Sequence, residues 1–291
     1  MTHTKPTYRP LAVWAVAVVA ILAGCGKDSG DKTTESSPVT YHKSGDPEML
    51  RANQEARKTF RYFWKEIAWD FNRIIPAVNM GSIKLAFSDD PSDPDSYVEH
   101  MWVGDIDFDG ECIRGVLRNT PVHLRSFNEG DSVECSPDEI SDWMCVVGGK
   151  VYGGYTVQVT RARMSDTERA AYDAKWGVEF PPPDEVRLPP DSAKIDANIA
   201  MKLAEHLNKD PAAMCSTDDS GRTLLHLVAL YGRKQSVKVL LEHGADVAKR
   251  CNRGWKAIDY AKALEWSDIV EMLSKAEGEQ GDGADEAKAE R

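Results

Sequence analysis

An internal repeat near the C-terminus restricts the fold of this chain more than any other feature of its 291 residues. Glycine and apolar positions recur after 33 residues, in the pairs Gly221 and Gly254, Leu225 and Ile258, Val237 and Val270, and Leu240 and Leu273. Such a period is typical of a solenoid of helix pairs, in which each repeat buries its apolar face against its neighbours. The pattern therefore predicts an all-α stack.

The first repeat, from Gly221 through His226 to Val247, resembles the ankyrin repeat, although Leu224 replaces the usual proline. In the second repeat Asp259 stands at the position of His226. Helical spacing of apolar residues over 191–217 indicates a degenerate opening unit. We therefore expect one degenerate and two recognisable repeats over residues 191–275, an array so short that it leans on the preceding domain or on its own caps.

The resemblance implies protein binding, with His226 as the structural histidine of the repeat. Exposed aromatic and arginine side chains are the usual anchors of interfaces. We therefore predict partner contacts at Tyr231, Arg233, Lys234, Arg253 and Trp255.

The first 24 residues read as a secretory signal. Lys5 and Arg9 precede an apolar run from Leu11 to Ala23, which is too short to span a bilayer comfortably. Leu22-Ala23-Gly24-Cys25 resembles a bacterial lipobox, which implies lipid attachment at Cys25; an ordinary signal with a chance cysteine, or a signal anchor, is the alternative. Gly26 in place of aspartate favours the outer membrane, facing the periplasm. Polar residues 25–46 predict a flexible tether.

Residues 47–180 predict an α+β domain. Asp46-Pro47-Glu48 marks a helix start, followed by an apolar stripe up to Pro76 that comprises Ala52, Ala56, Phe60, Phe63, Ile67, Phe71 and Ile74. Short strands are expected at 83–87, 97–107, 111–117, 132–135, 143–147 and 155–163, and Asp109-Gly110 suits a tight turn. Ser165 to Glu168 forms a capping box for a helix over 166–176. The sheet is expected to be mostly antiparallel.

Several stretches in this region resemble the YegJ-like bacterial domain of unknown function. They include Glu99-His100-Met101-Trp102-Val103, Gly115-Val116-Leu117 with Asn119, Ile140 to Met144, and Gly153 to Thr156. The resemblance implies a fold-sized unit and no particular chemistry. Residues 181–190 then predict a proline-rich linker between the domains, and residues 276–291 a disordered acidic tail.

Candidate pocket or motif residues in this domain are Glu99, His100, Trp102, Asn119, Asp142 and Trp143. Glu99, His100 and Asp142 could serve acid/base chemistry if they lined a pocket, but no nucleophile is marked, so we expect no enzyme activity. Asp105, Asp107 and Asp109 imitate the opening of a calcium loop whose twelfth position holds Val116 instead of glutamate. No metal site and no cofactor are expected.

The chain carries 36 basic and 47 acidic residues, a net charge of −11, which excludes nucleic acid as a natural partner. Residues 97–145 alone hold eleven acids against three arginines, which favours a basic protein partner. These features predict an extracytoplasmic protein-binding module, in one version an immunity protein against a periplasmic toxin. A small-ligand or hydrolytic enzyme and an envelope scaffold are the alternatives.

Five cysteines remain beside Cys25 in an oxidising compartment: Cys112, Cys135, Cys145, Cys215 and Cys251. Their pairing cannot be chosen from the sequence. One bridge within the trio Cys112, Cys135 and Cys145 is the expectation, because all three lie in one predicted domain.

Overall fold

The computed structural model describes residues 46–70, 73, 76–93, 95–190 and 193–289, with side chains up to residue 280. The predicted signal peptide, Cys25 and nearly all of the tether lie outside this range, as do Phe71 and Ile74 of the helical stripe. Within it, no helix combines the length and apolar character that crossing a membrane requires.

Residues 46–180 form the sheet domain, which opens with helix α1 (Pro47–Asp70). The carboxylate of Asp46 accepts a hydrogen bond of 3.0 Å from the backbone N–H of Glu48, as expected of an N-cap. The helix ends several residues before Pro76. The predicted stripe is confirmed over its described part, with buried side chains at Ala52, Ala56, Phe60 and Phe63.

Six antiparallel strands follow α1 in the spatial order β4-β3-β2-β1-β5-β6. Their bounds are β1 (Val78–Ser88), β2 (Val98–Phe108), β3 (Ile113–Leu117), β4 (Ser132–Cys135), β5 (Ile140–Val147) and β6 (Lys150–Gly153). Alternate residues bury one face of the sheet under α1, led by Ile83, Met101 and Trp143. The expectation of an α+β domain with a mostly antiparallel sheet is thus confirmed.

The strand predicted over 155–163 is wrong, because this segment forms helix α2 (Tyr155–Ala162). Its β-branched residues produce a strand-like pattern. However, Gly153 and Gly154 both take left-handed conformations, with φ of 72° and 74°, and redirect the chain before the helix. Helix α3 (Asp166–Trp176) follows with the predicted Ser165–Glu168 capping box.

From residue 193 to 289, the repeat domain consists of helices and turns apart from one isolated β-bridge between Thr217 and Thr223. Its helices are α4 (Ala193–Lys209), α5 (Leu224–Leu230), α6 (Lys234–Glu242), α7 (Ala257–Ala263) and α8 (Ser267–Ala289). His226 is buried; its Nδ1 accepts the N–H of Thr223 at 3.0 Å, and its Nε2 donates to the carbonyl of Trp255 at 3.1 Å. It therefore ties one repeat to the next, as the ankyrin resemblance implies.

The prediction of a disordered tail over 276–291 is wrong up to residue 289, because α8 continues through it. The alanine, glutamate and lysine residues of the tail are good helix formers. In addition, the Gln280 side chain donates to the carbonyl of Ala245 at 3.0 Å and accepts the N–H of Val247 at 3.3 Å.

The predicted linker over 181–190 lies against the sheet domain. The N–H of Gly153 donates to the carbonyl of Arg187 at 2.9 Å, and Arg161 donates to the carbonyl of Pro181 at 2.9 Å. The linker is therefore held along β6 by hydrogen bonds.

The bridge expected within the cysteine trio is absent, because the five described cysteines are free thiols. Cys145 lies on β5, whereas Cys135 ends β4 and Cys112 directly precedes β3, so that β1 and β2 lie between Cys145 and the other two. Cys135 pairs with Ile113 instead of Cys112. Cys135 therefore has a residue other than Cys112 directly opposite it in the sheet, which opposes bridging.

Candidate functional site

Two motif residues, Glu99 and Asn119, hold a loop at the edge of the sheet. The buried Glu99 carboxylate accepts backbone N–H groups of residues 122–124, at 3.0 Å from Val122 and 3.3 Å from Leu124, with a short bond from His123. Asn119 Oδ1 accepts the N–H of Trp102 at 2.6 Å. Both side chains therefore bond to the backbone of their own domain.

Asp142 is fully buried on β5, and four groups of the chain donate to its carboxylate. Its oxygens accept the N–H groups of Trp143 at 2.8 Å, Tyr155 at 2.9 Å and Thr156 at 2.8 Å, together with the Thr156 hydroxyl at 2.5 Å. These bonds fix the start of α2 against the sheet. A carboxylate so fully bonded has little capacity to accept a substrate proton.

Lys84 lies opposite Asp142 in the β1–β5 register. Its Nζ donates to the Thr156 hydroxyl at 2.7 Å and lies 4.5 Å from the centroid of the Trp102 ring. Burial lowers the pKa of Lys84, while the Asp142 charge acts in the opposite direction. Burial likewise raises the pKa of Asp142 against the attraction of Lys84. Lys84 was not among the predicted site residues; its signal in the sequence is a charged residue inside an otherwise apolar strand.

Glu99, His100 and Asp142 do not converge on one site. Glu99 and His100 are neighbours on β2, so their side chains leave opposite faces of the sheet. The exposed His100 has its Nδ1 3.0 Å from the Ser141 hydroxyl. A surface cavity of the sheet domain lies between α2 and α3, and none of the three residues lines it. The described part of the chain also holds no group of three potential metal ligands.

Trp102 and Trp143 are both packing residues. Trp143 is buried under α1, and its Nε1 donates to the carbonyl of Ala56 at 3.0 Å. Trp102 packs with the second apolar cluster, which includes Met144 and Trp176 on the opposite face of the sheet.

Four of the five predicted partner residues lie at the junction between the two domains. The Tyr231 ring lies 6.0 Å from the Trp64 ring of α1. Arg233 is buried and donates to the carbonyl of Ala68 at 3.1 Å, near the C-terminal end of α1, where a cation is favoured. Arg233 therefore bonds to the sheet domain and Tyr231 lies half-buried beside it, and partner contact at these two positions stays a prediction.

Arg253 and Trp255, on the finger before the last repeat, face the β2–β3 turn. Arg253 pairs with Asp109 at 2.9 Å and with Glu111 at 3.4 Å. An added Cβ at Gly110 would lie only 3.3 Å from the Trp255 ring, so turn and finger are in close contact. Of the five residues, Lys234 alone is exposed away from this junction, where it pairs with Asp268 at 2.7 Å.

The two domains share one hydrophobic core. A single cluster of buried side chains joins α1 and the strands, represented by Phe60 and Phe108, to the repeat helices, represented by Leu225, Tyr260 and Leu264. At its margin Arg61 pairs with Glu265. The repeats therefore pack against the preceding domain, which is one of the two supports expected for so short an array.

Tyr97, Val98 and Val122 are apolar side chains that the junction leaves exposed. They are 44%, 47% and 59% exposed, and they account for three of the six large exposed hydrophobic residues in the described part of the chain. They lie beside the loop that Glu99 holds. None of the three was among the predicted site residues, because nothing in the sequence shows that the start of the strand predicted over 97–107 and the segment around Val122 meet in space.

Comparison with known proteins agrees with this architecture. Residues 46–180 match the family described as an uncharacterized protein conserved in bacteria (DUF2314), and residues 194–282 match ankyrin repeats in three copies. A putative ankyrin repeat protein of Neisseria meningitidis serogroup B is 35% identical over 246 residues, which cover 81% of this chain and 97% of that protein. The uncharacterized protein YegJ of Escherichia coli is 36% identical over 59 residues, 20% of this chain and 39% of that protein.

Among solved structures, a chain from the complex of the Bd0816 predatory endopeptidase of Bdellovibrio bacteriovorus with immunity protein Bd3460 aligns over 38% of this chain and 57% of its own. Its identity is 24% and its TM-score 0.26, which supports no conclusion about this protein. The ankyrin repeats by themselves imply a protein-binding role.

Proposed function

We propose that this chain, which belongs to the bacterial proteins that join a DUF2314 domain to ankyrin repeats, is a lipid-anchored protein-binding module of the cell envelope. Its partner in this proposal is a toxin delivered into the periplasm, which the module captures as an immunity protein. The observation that carries the proposal is the saturation of the buried motif carboxylates, Glu99 and Asp142, by donors of the same chain. The exposed side chains of the sheet domain then serve to bind a partner.

The proposed anchor is a diacylglycerol on Cys25 after cleavage of residues 1–24. Each buried methylene contributes about 0.8 kcal/mol, so several acyl chains hold a protein on a membrane essentially permanently. In this proposal residues 25–46 serve as the tether, since a flexible chain of that length reaches roughly 25 Å, enough to hold a folded body clear of the lipid headgroups. We propose passage to the outer membrane because residue 26 is glycine instead of aspartate.

An enzyme that uses Glu99, His100 and Asp142 is the competing function, and their separation on the sheet disfavours it. An envelope scaffold differs from an immunity protein only in the identity of the partner. The protection experiment below therefore distinguishes these two proposals.

Lipid attachment is tested by labelling cells with radioactive palmitate. Wild type and Cys215→Ser, which alters an exposed cysteine, are expected to carry label and to sediment with membranes. Cys25→Ser is expected to lose both properties. An unprocessed, unlabelled wild-type protein in the cytosol would refute the anchor.

Immunity is tested with any secreted hydrolase or pore-forming protein encoded beside this reading frame, expressed in the periplasm of sensitive cells. We expect co-expressed wild-type protein to restore survival and to bind the toxin directly. Absence of binding and of protection would refute the immunity role. Stable association with a resident envelope protein in the same cells would then favour the scaffold.

A further inference from the structure

An exposed apolar group forms the centre of a surface at one edge of the sheet domain. The Tyr97 ring packs edge-on against the His123 ring, with centroids 4.5 Å apart. Val122 and Val98 lie beside Glu99, which follows Val98 in the chain and accepts the N–H of Val122. We name the described segments 89–93, 95–98 and 119–126 together the Tyr97 surface. A contiguous aromatic and aliphatic group on a soluble domain is typical of an interaction site.

Hydrogen bonds and buried rings hold this surface in place. Glu99 binds the backbone of residues 122–124, while Asp89 accepts the N–H groups of Arg125 at 2.9 Å and Ser126 at 2.8 Å. Beneath the loop, the Phe127 ring packs 5.1 Å from the Phe87 ring. Because the loop is already ordered, little conformational entropy would be lost when a partner binds.

The rim of the Tyr97 surface is strongly acidic. Residues 88–98 contain Asp89, Asp90, Asp93 and Asp95 and no lysine or arginine, and residues 119–126 add one arginine, Arg125, and no acid, so aspartates outnumber cations four to one. Hydrogen bonds from the backbone of Arg125 and Ser126 lower the pKa of Asp89, and the Ser92 hydroxyl and N–H lower that of Asp90. These carboxylates are therefore charged at neutral pH. By contrast, Asp105, Asp109 and Glu134 form ion pairs with arginines.

We infer that the Tyr97 surface docks a basic protein segment in which an apolar side chain is flanked by lysine or arginine. Such a segment would place its apolar residue against Tyr97 and Val122 and its cations against the aspartates. The same charge repels acidic proteins and anionic lipid. This inference deepens the proposed function, because it names the face through which the module would hold its partner.

The test selects a displayed random peptide library on an immobilised chain that lacks residues 1–25 and retains every described residue. We expect enriched peptides to carry an apolar residue between basic ones. Tyr97→Ser and Val122→Ser should each weaken a selected peptide at least tenfold, and the triple variant Asp90→Asn, Asp93→Asn, Asp95→Asn should do the same and reduce the salt dependence of binding. Met201→Ser removes a side chain that is 56% exposed on α4 and should leave binding unchanged.

Unfolding curves of all variants check that these exposed substitutions leave the fold intact. Failure to enrich any peptide, enrichment of peptides without net positive charge, or equal binding to the Tyr97 and Met201 variants would overturn the inference. Sedimentation that shows the surface binding a second copy of the chain would also overturn it. Because neither anchor nor toxin is used, a negative result here leaves the palmitate and protection experiments to decide the proposed function separately.

Discussion

Gly110 at the β2–β3 turn offers a direct test of the contact between the two domains. Its φ is 104°, and an added Cβ would lie 2.8 Å from the Tyr260 ring and 3.3 Å from the Trp255 ring, both in the repeat domain. Gly130 provides a matched control in the same sheet domain, with a φ of 93° and no atom within 4 Å of an added Cβ. Gly110→Ala and Gly130→Ala therefore share a backbone cost and differ in the steric clash.

The expected magnitudes follow from these two contributions. An alanine at left-handed φ costs about 1–2 kcal/mol, which applies to both variants. Overpacking a well-filled contact by one methyl group costs about 1–3 kcal/mol more, which applies to Gly110→Ala alone. At roughly 2–4 °C per kcal/mol for a chain of this size, the melting temperature of Gly110→Ala should fall about 2–12 °C further than that of Gly130→Ala.

Thermal and urea unfolding, followed by tryptophan fluorescence and circular dichroism, measure this difference in the chain without residues 1–25. Because one hydrophobic core spans both domains, we expect wild type to unfold in a single transition. Equal losses of stability in the two glycine variants would refute the tight contact between the Gly110 turn and the finger. Separate transitions for the two domains would refute the shared core.

Three further predictions concern buried or partly buried charges. Arg233→Ala removes the guanidinium beneath Tyr231 and should lower the free energy of unfolding in urea by about 2–3 kcal/mol. The exposed Lys234→Ala should change it by no more than about 0.5 kcal/mol. Equal losses in the two variants would contradict this prediction. Asp142→Asn leaves the buried Lys84 without its carboxylate and should lower the free energy of unfolding by about 3–5 kcal/mol. Adding Lys84→Met should restore part of that loss. A double-mutant cycle in which the two effects simply add would contradict the coupling. Partial burial acts to raise the pKa of Asp109, but backbone hydrogen bonds and an arginine lower it from 3.8 to about 2. The ionised Asp109 therefore stabilises the folded chain above about pH 4, and this contribution is lost as the pH falls to about 2. The free energy of unfolding should therefore differ between wild type and Asp109→Asn at pH 5, and that difference should shrink over this window; a constant difference would contradict the assignment.

Several elements were predictable because their signals are local. The proline and acid that follow Asp46 place the start of α1, and the Ser165 capping box places α3. The segment after Gly154 was misread for an equally local reason, since β-branched residues occur in both strands and helices. In that segment the two left-handed glycines, Gly153 and Gly154, and the hydrogen bonds that Asp142 accepts at the start of α2 favour a helix over a strand.

The candidate site was less accessible from the sequence. Glu99 and Asp142 stand out as charged motif residues, but apart from Trp143 their backbone N–H partners are 13 to 25 positions away, which no periodicity reveals. The Tyr97 surface likewise joins two loops that only the sheet brings together.

The sequence alone determined that this protein contains an ankyrin array after an α+β domain, because a 33-residue period and alternating apolar positions are properties of neighbouring residues. Only the tertiary structure decided what the aromatic and arginine side chains of the repeats contact. Arg253 meets Asp109 across 144 positions, and Arg233 meets Ala68 across 165. Side chains typical of a partner interface are also typical of a domain junction, since both bury aromatic and arginine groups, and the choice between them depends on which surface lies nearby in space.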